Sequence, residues 1–394
     1  MSSFDKPVIL TFIGNYLPGF KAGGILRAIV NTVDHLCDEF EFRIVTRDRD
    51  LGDHKPYADI KINQWQKVGN AMVYYLPPSS SKLKSLFSLI AGTPHHVLYL
   101  NSFFDPITIK VLLNRSLHRS LFRAVIVAPW GEFGWASLKQ KYFKKFVFIT
   151  VAKIFGLYDN VIWRASSEFE KKDILKYMDI KADLIHITSD FPIKNNPDSN
   201  FDLPSYIPSD DREGLRLVFL SRISREKNLD YALRVLKKVK SPVIFDIYGP
   251  AENLRYWKEC QELMDQLPSN VKAKYLGSVN ADQVINIFSR YDLFFFPTGG
   301  EAYGHVIAEC LTAGTPALIS TETPWRQLQK DGLGWDIDLA QMDVFVERIE
   351  KLSLKSPAER LKSRTRVRTK AAERLFSPVV QETNRQLFLN ALTQ

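Results

Sequence analysis

LFFFPTGGEAYGHVIAECLTAGTPALIS, residues 293–320, decides the fold. LFFFPT (293–298) is a short, almost unbroken run of strand formers, and PALIS (316–320) is a second. Strands that are apolar throughout are buried on both faces, as in parallel sheets. Between the two runs, HVIAECLTAG has helical spacing. Val306, Ile307, Cys310 and Leu311 share one face, a start is expected near Gly304, and Gly314 marks the stop. Strand, loop, helix and strand in so short a span make a β-α-β unit of an α/β sheet.

The same stretch holds two carboxylates, Glu301 and Glu309. At about 100° per residue Glu309 falls well off the apolar face and is expected to point away from the core. Glu301 lies in the loop before the helix, beside first-turn N–H groups from about Tyr303 to His305. Such groups lack intrahelical partners and suit an anion or a hydroxyl. On spacing alone, the stronger reading is the plain one, a dipole glutamate followed by an exposed helix glutamate.

Outward from this unit the alternation extends over the whole chain. Strand candidates are 8–14, 42–46, 72–76, 97–101, 124–129, 161–166 and 184–188, then 216–221, 243–249 and 271–277 before the quoted stretch. The two series are separated by FPIKNNPDSNFDLPSYIPSDDREG (191–214), rich in Pro, Asn, Asp and Ser and without periodicity. The expected fold class is α/β, with two doubly wound, Rossmann-like domains over 1–190 and 214–375. A linker over 191–213 joins them, and a final amphipathic helix over 376–394 is expected to pack back on the first domain. The ligand site is expected in the inter-domain cleft, at the carboxyl ends of the strands.

Composition narrows the class without naming it. The chain has 394 residues, 45% hydrophobic and 25% charged, which suits two globular domains. Three cysteines, far apart and without metal-ligand spacing, argue against a disulfide framework or a structural zinc and fit a reducing cytoplasm. The N-terminus reads as a first strand rather than a signal peptide. No apolar stretch has the length and continuity of a membrane span. The net charge of +9 is compatible with nucleic acid, anionic lipid or acidic substrates and selects none of them.

Three further stretches carry chemistry. FLSRISREKNLDYALRVL (219–236) places Arg222, Arg225 and Lys227 between a strand end and a helix start. Cations are locally uncomfortable there unless an anion such as a diphosphate joins them. A solvated charged loop is the competing reading. NYLPGFKAGGILRAIVNTVDHL (15–36) puts Gly23 and Gly24 at a helix start, where small residues let a phosphate approach the backbone. It is neither a GxGxxG nor a Walker motif, and a simple flexible loop fits as well. VIVAPWGEFGWASLKQKYFKKFVFITVAKIFG (125–156) places Trp130 and Glu132 at a strand end. A helix mixing Lys139, Lys141, Lys144, Lys145 and Lys153 with aromatic residues follows. Such a helix can rest on an anionic membrane, or be a core helix with a solvated lysine face.

Together these residues resemble the GT-B glycosyltransferases of family 4, of the polysaccharide-biosynthesis type. The E-x7-E motif falls at Glu301 and Glu309, the Arg/Lys pair at Arg222 and Lys227, and the glycine loop at Gly23 and Gly24. The resemblance implies a nucleotide-sugar donor, UDP- or GDP-linked, a retaining outcome, and no cofactor or metal. It places the acceptor on the first domain and the donor on the second. By position, Glu309 would hold ribose hydroxyls. Glu301, with backbone N–H groups of Ala302, Tyr303 and Gly304, would hold the donor sugar. Arg222 and Lys227 would neutralise the leaving diphosphate. Gly249 and Tyr275 to Ser278 would flank the base. Many relatives carry a histidine where this chain has APWGEF, so Glu132 is assigned there to the acceptor hydroxyl or the donor sugar.

The expected acceptor is a glycan, lipid-linked, in capsule, exopolysaccharide or O-antigen synthesis. The expected location is cytoplasmic, peripheral on the inner face of the plasma membrane. Two other readings stay open: a sugar-nucleotide epimerase of the same fold, and a non-catalytic basic binding protein. The first lacks a convincing acid/base set, and the second lacks a nucleic-acid fold signature, so no nucleic-acid partner is expected.

Overall fold

A computed structural model of the chain describes residues 6–118, 124–139, 141–194, 214–280 and 283–393. Most of the expected linker 191–213 lies outside the described residues. The polypeptide divides into two units. One comprises Met1–Lys194 with Pro378–Gln394, the other Asn195–Ser377.

The first unit has strands β1 (Val8–Phe12), β2 (Glu41–Arg47), β3 (Trp65–Val68), β4 (Ala71–Leu76), β5 (Val97–Asn101), β6 (Ala124–Ala128), β7 (Ile162–Ala165) and β8 (Ile185–Ile187). They form one sheet in the order β3-β4-β2-β1-β5-β6-β7-β8. All neighbours are parallel except β3 and β4. Along each central strand, successive side chains enter opposite layers. Leu98, Leu100, Val125 and Val127 join one apolar cluster, and Val97, Tyr99, Ala124 and Ile126 join the other. A strand feeding two cores is apolar at nearly every position, which explains the near-continuous runs in the sequence.

The second unit has β9 (Leu215–Leu220), β10 (Val243–Tyr248), β11 (Val271–Tyr275), β12 (Leu293–Phe296), β13 (Ala317–Ser320) and β14 (Gly334–Ile337). Their order, β11-β10-β9-β12-β13-β14, is the doubly wound order, and every pair is parallel.

Two strands escaped the sequence reading. WQKV of β3 is a half-exposed edge strand without an apolar run. GWDI of β14 begins with a glycine that looks like a turn residue. Gly334 has φ 142°, and a Cβ there would lie 1.9 Å from the Ala317 carbonyl oxygen, so close pairing with β13 requires glycine.

The basic tail folds inward in part. The helix Pro357–Leu375 opens with a capping box between Ser356 and Glu359, with Pro357 in its first turn. It buries Arg360 and Arg364. The Arg364 guanidinium donates to the carbonyls of Tyr291, Ser289 and Ala313 and to the Thr315 hydroxyl. It thus satisfies chain ends, including that of the helix His305–Thr312. Its positive charge serves the fold and is not presented to a partner. The last helix, Pro378–Leu392, belongs to the first unit. Phe388 packs edge-on against Phe42 and Tyr99 and tilted against Phe40, and Asn384 donates to the Ser189 carbonyl.

Candidate functional site

In the second unit the strand order reverses between β9 and β12. In open α/β sheets, ligands bind outside the carboxyl ends of the strands at such a switch point. After β9, the chain runs through Ser221–Ser224 into a tight turn, Arg225–Lys227. Asn228, left-handed at φ 58°, then turns it into the helix Leu229–Leu236. The Glu226 carbonyl accepts from Gly299 N at 2.6 Å and from Thr298 Oγ1 at 3.2 Å. The loops after β9 and β12 are therefore stitched together through main chain.

That stitching brings Lys227 to Glu301. Lys227 is only 6% exposed. Its ammonium lies 2.8 Å from Glu301 Oε1 and 3.3 Å from the Gly300 carbonyl. A lysine so enclosed needs a paired anion. Arg222 differs. It is half-exposed and held by Glu252 at 3.1 Å. An exposed pair of that kind contributes about 0–1 kcal/mol, so the guanidinium exchanges readily for a doubly charged diphosphate.

At the next strand end, Gly249 has φ 131°, and a Cβ would lie 1.8 Å from the Ser221 carbonyl oxygen. Glycine there lets the loops after β9 and β10 touch. Gly249 N donates to Gly277 O at 2.8 Å, and Tyr275 donates to Gly249 O at 2.9 Å. The Trp257 ring sits 4.6 Å from that of Tyr275, forming an aromatic wall, with Ser278 exposed beyond it. Gly249, Tyr275 and Ser278, separate in sequence, thus belong to one rim.

Gly304, left-handed at φ 84°, is the N-cap of His305–Thr312, with Ala302 and Tyr303 just ahead. Here one expectation fails. Glu309 was expected off the core face, yet it is 7% exposed. The helix packs against Val284–Phe288, β13 and Pro357–Leu375, so burial extends beyond its apolar stripe. A stripe calculation counts one packing partner and misses the others.

The remaining candidates lie in the first unit. Gly23, at φ 67°, caps the helix Gly24–Leu36, and a Cβ there would meet nothing within 4 Å. The space a close ligand needs is present. Trp130 and Gly131 are both left-handed. Gly131 N donates to Glu170, the Trp130 indole donates to Asn101 at 3.0 Å, and the Arg164 guanidinium stacks 4.2 Å from the Trp130 ring. Glu132 accepts from Ser102 Oγ at 2.6 Å on one oxygen and from Phe103 N and Phe104 N at 2.5 and 3.3 Å on the other. Both oxygens are thus engaged by the loop that leads into the helix Pro106–Leu117.

Burial pushes the Glu132 carboxyl up to about 7, against the downward pull of those donors. An acid raised in the fold stabilises it below the unfolded value, 4.5, and loses that contribution as pH rises through about 7. In melting curves between these values, Glu132→Gln should lose less stability with rising pH than the parent. Asp173, raised to about 6 chiefly by burial, acts in the same direction in both proteins, so the comparison isolates Glu132. Equal slopes would remove Glu132 from the titration.

Sequence reasoning missed Glu252, the partner of Arg222, and Trp325, whose indole donates to the Tyr303 carbonyl at 2.6 Å. Only the Pro-Trp pair just after a strand end hinted at the second.

Residues 209–374 match the family model described as glycosyl transferases group 1. An uncharacterized glycosyltransferase of Methanocaldococcus jannaschii, MJ1607, is 24% identical over 142 residues, 32% of this chain. That stretch spans 36% of the relative's length. Among solved structures, Anabaena HepE in complex with UDP and glucose superposes with a TM-score of 0.67. It is 14% identical, over 98% of this chain and 100% of that one. The sucrose-phosphate synthase of Thermosynechococcus elongatus superposes with a TM-score of 0.68 at 13% identity, with the same coverage. Residues 209–374 are therefore similar to the group 1 glycosyltransferases, and the two sheets have the GT-B fold.

Proposed function

We propose that the chain is a retaining glycosyltransferase that moves a hexosyl or acetylhexosaminyl group from a UDP- or GDP-linked donor to a glycan. The observation that carries this reading is the enclosed Lys227–Glu301 pair beside Arg222 at the switch point of the second unit. Breaking the bond between the sugar C1 and the phosphate oxygen leaves the electron pair on the diphosphate. Lys227 and Arg222 are the cations that stabilise this charge, and such preorganised stabilisation is usually the largest catalytic contribution. Glu301 accepts from donor-sugar hydroxyls and Glu309 from the ribose. Gly249, Tyr275 and Ser278 flank the base. Glu132 acts indirectly, by holding the 102–104 loop. No step calls on a metal or a redox cofactor.

The solved HepE complex with UDP and glucose favours a uridine donor. Thermal melting with UDP, GDP, ADP and NAD at millimolar concentration tests the reading. At about 100 times Kd a ligand stabilises by about 2.7 kcal/mol, several degrees for a unit of this size. A shift with UDP or GDP alone is expected, and no shift with any nucleotide would sink the proposal.

The acceptor in this reading is a lipid-linked glycan of a capsule, exopolysaccharide or O-antigen, met at the inner face of the plasma membrane. Among the described residues no helix is long and apolar enough to cross a membrane. The helix Tyr142–Ile154 nevertheless turns Ile149 and Ala152 inward while Phe143, Phe146, Val147 and Ile154 face solvent. Phe143 and Phe155 are each 79% exposed. From Trp135 to Gly156 there are five lysines and no Asp or Glu. An apolar face flanked by lysines, of which Lys153 pairs with Asp179 at 2.5 Å, fits anionic lipid. In flotation assays the protein should bind vesicles containing phosphatidylglycerol, and Phe143→Ser with Phe155→Ser should weaken binding at least tenfold. Equal binding by the variant would exclude this face.

A further inference from the structure

The loop from Thr298 to Gly304 contains two successive glycines and no regular structure, yet the donor reading requires its N–H groups to be fixed. What fixes it is the segment that follows β13. Ser320 Oγ donates to the Thr298 carbonyl at 2.5 Å. Glu301 N donates to the Glu322 carbonyl at 3.0 Å. The indole of Trp325 donates to the Tyr303 carbonyl at 2.6 Å. The segment is itself anchored from behind. Asp336 on β14 accepts from Gln327 N and Leu328 N at 3.2 and 2.9 Å, and Thr321 N donates to Ile337 O. Arg374 lies 4.9 Å over the Trp325 ring and is tied to Asp331 at 3.1 Å.

Peptide planarity turns these contacts into an orientation. In a trans peptide the C=O and N–H point in opposite directions. The Gly300–Glu301 peptide shows this directly, since its N–H meets Glu322 while its C=O meets Lys227. In the Tyr303–Gly304 peptide the C=O is the group held against the 321–327 segment. Its N–H is therefore aimed the other way, away from that segment, as the Gly300 carbonyl is.

We infer that Trp325 is a positioning residue that sets the Gly304 N–H toward the sugar of the donor, and so discriminates nucleotide-sugar from bare nucleotide. The inference rests on the glycosyltransferase reading. It is separable from it, because the base, the ribose and the diphosphate are assigned to other residues. Trp325→Phe keeps an aromatic ring and removes the indole N–H. Arg374→Leu leaves the indole but removes the cation over it, at a position still 35% exposed.

Calorimetric titration of the whole protein with UDP and UDP-glucose, and with GDP and GDP-mannose, tests the inference. Trp325→Phe should weaken sugar-nucleotide binding about tenfold, the value of one well-made hydrogen bond, and leave nucleoside diphosphate binding within about twofold. Arg374→Leu should shift the same ratio in the same direction by about two- to threefold. KM for the sugar nucleotide should rise more than kcat falls. A merely structural role would lower both affinities together or neither. An unchanged ratio in Trp325→Phe overturns the inference, and if that variant does not fold, an unchanged ratio in Arg374→Leu does so. A parent protein that binds no nucleotide overturns the glycosyltransferase reading itself.

Discussion

Lys227→Ala should reduce kcat for sugar transfer by about a hundred- to a thousandfold, the usual cost of losing one preorganised charge-stabilising donor. The effect has two sources that experiment can separate. Lys227 is the cation of the switch-point crevice that the fold encloses most fully, so water cannot replace it. Its removal also leaves the Glu301 carboxylate, whose side chain is 15% exposed, without the partner at 2.8 Å. Breaking an enclosed pair by deleting one member commonly costs about 3–5 kcal/mol. Glu301→Gln with Lys227→Ala removes the stranded charge. The double variant should recover stability relative to Lys227→Ala while remaining inactive. Stability comes from denaturant unfolding and activity from release of nucleoside diphosphate. Full activity in Lys227→Ala would show that the charge on the leaving group is met elsewhere.

Phe388→Ala should destabilise the first unit by about 3–5 kcal/mol, the usual cost of truncating a fully enclosed aromatic side chain. Phe388 is 1% exposed, and its ring lies 5.5 Å from Phe40, 5.8 Å from Phe42 and 5.5 Å from Tyr99. The surrounding strands are held in register by their ladders and cannot collapse into the space left behind. For a unit of about 200 residues, each kcal/mol shifts Tm by roughly 2–4 °C, so a fall of about ten degrees is expected. Nucleotide binding by residues of the second unit is the internal control. A loss below about 1 kcal/mol would mean that the last helix is not docked on the β2 face as described.

What could be read from the sequence divides along physical lines. β1, β5, β6, β9, β12 and β13 announced themselves because a strand buried on both faces is apolar at nearly every position. β3 did not, because an edge strand pairs on one side and faces water on the other. Nor did β14, whose Gly334 serves the approach to Ala317 and reads locally as a turn. At the site, Lys227 and Glu301 were each placed at a strand end, but their contact depends on the main-chain stitch between Glu226 and Gly299. Glu309 looked exposed because an amphipathic stripe describes a helix with one packing partner. Glu132 showed its position but not its neighbours, since the Ser102–Phe104 loop that engages it comes from another strand. Trp325 reaches the 298–304 loop from the segment after β13, and only the Pro-Trp pair behind that strand hinted at such a contact.

The return of Pro378–Leu392 to the first unit fixes an order of events on the ribosome. The second unit is complete once Ser377 has emerged, whereas the first, begun earlier, still lacks the helix that covers Phe40, Phe42 and Tyr99. The nascent chain therefore holds an earlier segment unfinished until a later one appears, with an aromatic face open to chaperones or to other chains. A message truncated after codon 377 would yield a folded second unit tethered to an aggregation-prone partner, rather than two shortened but sound halves.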